Sequence, residues 1–267
     1  MKTVLTVLKI TFGDFIRRTE VLIIAILGIV FIAGVSMVLL DEELAKQVTA
    51  GVERSQSVDV QKSTFVEGAL VYAELFTIII SFLVGMNLIG KDIKTNAIAL
   101  YLVKPISRLQ YLFGKYLGAV SLSLMIFLIY ELFLLLTLQI DGSGLSFPFF
   151  KILFITLFKV SLLYSMILML VQKLPGFVAS LIATAIYLTG YFAGDFFLFA
   201  ISAKGLLKIG SLAIYYTLPH MVQVSPGSIM GSAGRIAPFI EWAFIYGLLY
   251  SGLWLFGGMV LFRKRAL

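Results

Sequence analysis

The sequence predicts an all-α membrane protein with six transmembrane helices. Of its 267 residues, 60% are hydrophobic and only 13% are charged, and the mean hydropathy is +1.04. The bilayer core offers no water to backbone polar groups, so apolar runs of about 20 residues must form helices there. We therefore expect one membrane domain, residues 1–267.

The elements follow from the apolar runs. In residues 3–18, apolar side chains are interspersed with polar ones, which predicts an interfacial helix before the first span. The predicted spans are residues 21–40, 65–89, 116–138, 150–171, 177–200 and 239–262. A loop at residues 91–115 is predicted on one side, and loops at residues 41–64 and 201–238 on the other. The apolar run at residues 206–218 is too short to cross the membrane. We expect an amphipathic or re-entrant helix there.

Basic residues orient the predicted spans. Four lie in the N-terminal segment, five in residues 91–115, one at Lys173 and three in residues 263–265. Of the acids, only Asp14, Glu20 and Asp92 fall on this side. Cytoplasmic loops carry the excess of Lys and Arg, so both termini are predicted to be cytoplasmic.

Composition also excludes several kinds of site. The chain has no cysteine, and its one histidine, His220, cannot build a metal site alone. No GxxxxGK[ST] run is present, so a nucleotide would have to bind another polypeptide. The basic residues lie at segment ends, as membrane topology requires, so we expect no nucleic-acid binding. The first twenty residues lack the pattern of a cleaved signal peptide.

Three ionisable residues fall inside predicted spans, namely Glu74, Glu131 and Lys159. A charge near the bilayer centre costs about 2–4 kcal/mol and needs a partner or water. Glu131 and Lys159 lie at matching depth on antiparallel spans, which predicts an ion pair between them.

Acidic residues also gather near the predicted outer ends of the spans. Glu67 shares a helix face with Glu74, and Asp195 and Glu241 lie near the outer ends of spans five and six. They predict an acidic outer vestibule for cationic or zwitterionic cargo. The alternative is that these acids only fix helix positions at the outer leaflet. Separately, Gly114 and Gly118 have the spacing that permits close helix approach.

The segment at residues 91–115 carries the most specific pattern. A charged residue follows span two, and a short, partly apolar helix candidate at residues 92–103 ends at Pro105. A Pro-x-x-Arg turn and a Gly-Lys pair follow, as far as Lys115. This order resembles the cytoplasmic signature of type 2 ABC exporter permeases. The resemblance implies that the matching positions contact an ATPase. These positions are Asp92, Ile93, Leu100, Tyr101, Lys104, Pro105, Arg108 and Lys115.

The resemblance implies a permease subunit that is not catalytic alone. It implies cytoplasmic P-loop ATPase subunits, which hold ATP and Mg, and a second permease copy or homologue in the plasma or inner membrane. An ordinary basic loop is the alternative interpretation of residues 91–115. A stand-alone channel or assembly factor remains an alternative function, and an intramembrane enzyme is another.

Overall fold

A computed structural model describes residues 2–41, 58–89, 107–141, 149–219 and 240–264. Helices form nearly all of this part of the chain, and it contains no β-strand. The predicted all-α class is therefore confirmed for these residues. The helices are α1 (Lys2–Ile16), α2 (Thr19–Leu40), α3 (Val58–Met86), α4 (Arg108–Asp141), α5 (Phe149–Leu170), α6 (Gly176–Thr189), α7 (Ala193–Ser202), α8 (Leu206–Thr217) and α9 (Ile240–Lys264).

Four helices are long and apolar enough to cross a membrane: α2, the Phe65–Met86 part of α3, α4 and α5. A fifth crossing exists if α6 and α7 together form one bent span. Helix α9 has 25 residues, and the part of it whose side chains the structure describes includes the shorter apolar stretch Gly247–Arg263. The described chain thus has four to five candidate spans, and the six-span count stays a prediction.

Helix α4 is the centre of the bundle and packs against α1, α2, α3 and α5. Its 34 residues extend about 51 Å, well beyond the roughly 30 Å of hydrocarbon that a span must cross. The excess lies partly at its start, because residues 108–115, predicted as loop, are helical. These residues mix apolar side chains with Arg108, Gln110 and Lys115, and hydropathy alone cannot separate such a helical extension from a loop.

The same correction applies to the start of α3, which begins at Val58 although residues 41–64 were predicted as loop. A tight turn joins α5 to α6. Backbone hydrogen bonds from Val171, Lys173 and Leu174 form it, and Pro175 precedes the first residue of α6.

Helix α1 is confirmed as a helix, but one face of it is covered by protein. Val7 and Thr11 of α1 lie against Gly114 and Gly118 of α4, and a Cβ added at either glycine would fall within 2.8 Å of them. The later residue of α1 contacts the later glycine of α4, so α1 runs parallel to the first half of α4. The predicted close approach at this glycine pair therefore occurs within one chain.

The predicted span at residues 177–200 is interrupted. A 3₁₀ turn, Gly190–Phe192, separates α6 from α7, and the two parts are bent by 61°. The chain then turns into α8 at Gly205, whose φ is +63°. Glycine suits this position because a positive φ strains any residue with a Cβ. Helix α8 confirms the short helix predicted at residues 206–218.

Candidate functional site

A buried ion pair joins α3 to α5. The ammonium Nζ of Lys159 lies 2.6 Å from Oε1 of Glu74, and the two side chains are only 4% and 8% exposed. Charge-assisted hydrogen bonds of this length are strong, and burial keeps water and salt from screening them. Two of the three predicted intramembrane charges thus compensate each other.

Two tyrosines from α6 and the following 3₁₀ turn complete the cluster. Tyr187 donates a hydrogen bond to Oε1 of Glu74 at 3.0 Å, and Tyr191 donates to the same oxygen. Lys159 in turn donates to the hydroxyl oxygen of Tyr191 at 3.2 Å and lies 5.4 Å from the centre of that ring. We call Glu74, Lys159, Tyr187 and Tyr191 the ion-pair cluster. It ties three helical segments together inside the bundle.

The tyrosines went unnoticed in the sequence, although a signal was present. Tyr187 and Tyr191 are spaced i, i+4, which places both hydroxyls on one helix face. A helix that presents two phenols to the bundle interior can satisfy a buried carboxylate. Comparing the spacing of the two tyrosines with the position of Glu74 would have suggested that they bind its carboxylate.

A second polar layer lies two helical turns away along α3. Ser81 Oγ is 3.1 Å from Ser123 Oγ of α4, and Ser123 Oγ is 2.8 Å from the hydroxyl of Tyr164 of α5. All three side chains are fully buried. Because these hydroxyls satisfy one another, they fix the rotational positions of three helices in a medium without water.

The predicted pair between Glu131 and Lys159 is wrong, because Lys159 binds Glu74. Tyr164 of α5 faces Ser123 on α4, and Lys159 lies five residues earlier, about 140° around the helix from that contact. Lys159 therefore points away from α4, which carries Glu131. The prediction considered the depth of the two residues in their spans but not the helix face on which each side chain lies.

Glu131 itself is fully buried on α4. Neither of its carboxyl oxygens has a hydrogen-bond partner in the described part of the chain. It is therefore a structural exception among the predicted intramembrane charges, since the other two are satisfied by each other and by tyrosines.

The acidic vestibule is not tested by the described side chains. Glu67 is half-buried on α3 and Asp195 is exposed at the start of α7, while the side chain of Glu241 lies outside what the structure describes. No group of three or more His, Cys, Asp or Glu side chains that could hold a metal ion occurs among the described residues. His220 is not among them.

Most of the predicted ATPase-contacting positions also lie outside the described residues: Asp92, Ile93, Leu100, Tyr101, Lys104 and Pro105. Arg108 is the first residue of α4. A reciprocal cap precedes it, because Gln110 N–H donates to Ser107 Oγ at 3.2 Å and Ser107 N–H donates to Gln110 Oε1 at 3.1 Å. Such a capping box fixes where the helix begins. Lys115 is buried, with Nζ 5.8 Å from the ring centre of Tyr111.

No protein-family model matches the chain, and no curated protein matches it. The described fold defines the class: an all-helical, multi-pass membrane protein in which a buried ion pair joins two helices of the bundle.

Proposed function

We propose that the chain is the membrane-spanning permease subunit of an ATP-driven ABC transporter, an exporter of the type 2 class. In this proposal the chain crosses the membrane six times and both termini are cytoplasmic. The membrane is the plasma or inner membrane of the cell. Its sequence basis is the ordered pattern at residues 91–115. The observation that carries it furthest is that residues 90–106 lie in the chain between α3 and α4, two helices that pack against each other in the bundle.

Helix α3 provides a mechanical connection from that segment to the ion-pair cluster. Glu74 lies about 18 Å along α3 from Met86, the last residue of the helix. Near this end α3 packs tightly, because a Cβ at Gly85 would lie 2.6 Å from Ile167 of α5 and 3.0 Å from Ser180 of α6. A displacement of residues 92–103 by an ATPase would therefore shift α3 against α5, which holds Lys159, and against α6, which holds Tyr187 and leads into the turn that holds Tyr191.

The proposed partners follow from the chemistry that the chain lacks. It contains no P-loop, so ATP and Mg would bind cytoplasmic ATPase subunits, and the chain would carry out no bond chemistry itself. Two copies, or one copy and a homologue, would pair with two ATPase subunits. ATP-driven closure of these subunits would move the segment at residues 92–103 in each permease.

Co-purification tests the proposal. The tagged wild-type chain and an Asp92→Ala/Arg108→Ala double variant are purified in mild detergent, and bound proteins are identified by mass spectrometry. We expect a P-loop ATPase with the wild type and its loss from the variant. Asp195→Ala/Lys208→Ala removes the same two charges from exposed positions on α7 and α8 and should retain the ATPase.

If correctly inserted wild type recovers no ATPase, the transporter proposal fails and a stand-alone membrane protein replaces it. Equal loss of the ATPase from both double variants would refute docking at residues 92–108.

A further inference from the structure

An apolar groove of about 690 Å³ lies between α4 and α5. Its α4 wall follows one face of the helix, since the lining residues there are spaced i, i+3, i+4 and i+7. These residues are Ser121, Leu124, Met125 and Leu128. Its α5 wall extends from Phe150 to Leu157. We call this cavity the side groove, and its volume falls within the range of about 300–1,000 Å³ that ligand sites occupy.

The side groove opens to the outside of the described bundle. Two side chains of its α5 wall, Phe150 and Phe154, are 81% and 45% exposed. Both walls belong to helices that are long and apolar enough to cross a membrane. The outer surface of such helices contacts acyl chains rather than water. An apolar groove in that surface therefore suits an acyl chain.

The lining contains two polar residues, Lys151 on α5 and Ser121 on α4. The hydroxyl of Ser121 already donates to the carbonyl oxygen of Gly118 at 3.0 Å, so it needs no polar ligand. Lys151 lies in the first turn of α5 and is the ionisable residue of the lining. A ligand that matches the side groove therefore carries one polar group, beside Lys151, and is apolar elsewhere.

The ammonium of Lys151 has no acidic partner in the described part of the chain. Its side chain is exposed, and no ion pair or hydrogen bond joins it to a described residue. No carboxylate is among the described residues that line the groove. Glu131 lies three residues beyond Leu128 on α4, but it is fully buried and its carboxyl oxygens bind no described residue. The charge in the groove is therefore positive, and it favours an anion.

The position of Lys151 along α5 indicates which anion. Helix α5 has 22 residues and extends about 33 Å, close to the roughly 30 Å of hydrocarbon that a span crosses. Lys151 in the first turn thus lies at the edge of the hydrocarbon, where its ammonium reaches the level of the lipid phosphates. Leu157 lies about 9 Å further along the helix, so the groove continues from this level into the hydrocarbon.

We propose that the side groove binds an anionic lipid, with the lipid phosphate at the ammonium of Lys151 and one acyl chain between α4 and α5. The ammonium donates charge-assisted hydrogen bonds to the phosphate oxygens. The acyl chain packs against Leu128, Phe154 and Leu157 and supplies the dispersion contacts that the groove lacks. This site does not depend on the transport function.

Native mass spectrometry of the purified full chain tests the site, with phosphatidylglycerol and phosphatidylcholine as probes. We expect one phosphatidylglycerol to bind in preference to phosphatidylcholine, because only phosphatidylglycerol carries a net negative charge. Lys151→Gln should weaken phosphatidylglycerol binding by about tenfold and remove the preference, since it removes the charge-assisted contact. Lys208→Gln removes an exposed lysine from α8 and should change neither.

A second pair of variants tests the acyl-chain contact. Leu128→Trp places a larger side chain in the groove wall and should weaken the binding of both lipids by about tenfold, because it displaces the acyl chain. Leu136→Trp makes the same change on α4 at a side chain that is 55% exposed and does not line the groove. It should leave binding unchanged.

Equal binding of the two lipids to the wild type, or equal weakening by Lys151→Gln and Lys208→Gln, would overturn the site. So would equal binding by the two tryptophan variants. A wild-type dimer that carries no lipid and is lost in Leu128→Trp would assign the groove to a second copy of the chain and refute the lipid. Lys151 is exposed, so its variant remains decisive even if Leu128→Trp fails to fold.

Discussion

Lys159 and Glu74 stand 85 residues apart in sequence, yet their charged atoms lie 2.6 Å apart inside the bundle. The pair links α5 to α3, and hydrogen bonds from Tyr187 and Tyr191 attach α6 and the 3₁₀ turn to the same carboxylate oxygen. Removing only one partner of such a buried pair is strongly destabilising, because the charge of the other partner is left uncompensated.

Glu74→Gln and Lys159→Met should each lower the free energy of unfolding by about 3–5 kcal/mol. The double variant should lose clearly less than the sum of the two, since it leaves no isolated charge. Denaturant unfolding of the purified chain in detergent measures all three. Additive losses would show that the two residues do not act as a pair.

Glu131→Gln provides a contrasting case in the same bundle. Neither carboxyl oxygen of Glu131 has a hydrogen-bond partner in the described chain, so the amide should cost about 1 kcal/mol or less. The same unfolding assay, run beside Glu74→Gln, gives the comparison. A loss as large as that of Glu74→Gln would mean that Glu131 has an essential partner, against the structure.

Gly176→Ala should severely loosen the contact between α6 and the end of α3. A Cβ at Gly176 would lie 2.0 Å from the carbonyl oxygen of Met86, and backbone cannot rotate away as a side chain can. We expect a loss of about 1–3 kcal/mol or more in unfolding free energy.

Gly210→Ala is the matched control for this change. Gly210 lies within α8, and a Cβ there would meet nothing within 4 Å. The alanine should be neutral or stabilise by about 0.5–1 kcal/mol, because glycine is a poor helix former. A Gly176→Ala protein as stable as Gly210→Ala would contradict the close approach of α6 to α3.

Gly114→Ala should release α1 from α4. The new methyl group would lie 2.7 Å from Cβ of Val7, so the two helices must separate. We expect hydrogen exchange of the α1 amides to accelerate about tenfold, which corresponds to about 1.4 kcal/mol of lost local stability. Gly13→Ala lies in α1 itself, where a Cβ meets nothing within 4 Å, and should not accelerate exchange. Identical exchange in the two variants would exclude this packing.

Hydropathy predicted the fold class and the approximate positions of the apolar helices, because the membrane imposes both. It failed where helices continue into polar sequence. Residues 58–64 and 108–115 look like loops by composition, yet both belong to long helices. It also missed the bend at Gly190–Phe192, since that run is as apolar as the helix before it and contains no proline.

The two charged residues of the candidate site, Glu74 and Lys159, were predicted, but their pairing and the two tyrosines were not. Sequence depth brought Glu74, Glu131 and Lys159 to one level of the membrane, and the structure confirms that Lys159 has an acidic partner. Which acid it binds depends on the rotation of each helix about its own axis. Interhelical contacts such as Ser123 with Tyr164 set that rotation, and such contacts join residues distant in sequence.

Docking of a partner ATPase on residues 92–103 is the step on which the proposed transport function depends. The chain contains no cysteine, so a single cysteine introduced as Leu100→Cys gives one unambiguous attachment point for a photoactivatable crosslinker in cells. Lys208→Cys, exposed on α8, serves as the control. We expect a crosslinked P-loop ATPase from position 100 and none from position 208. Failure to capture an ATPase at position 100, or equal capture at both positions, would contradict it.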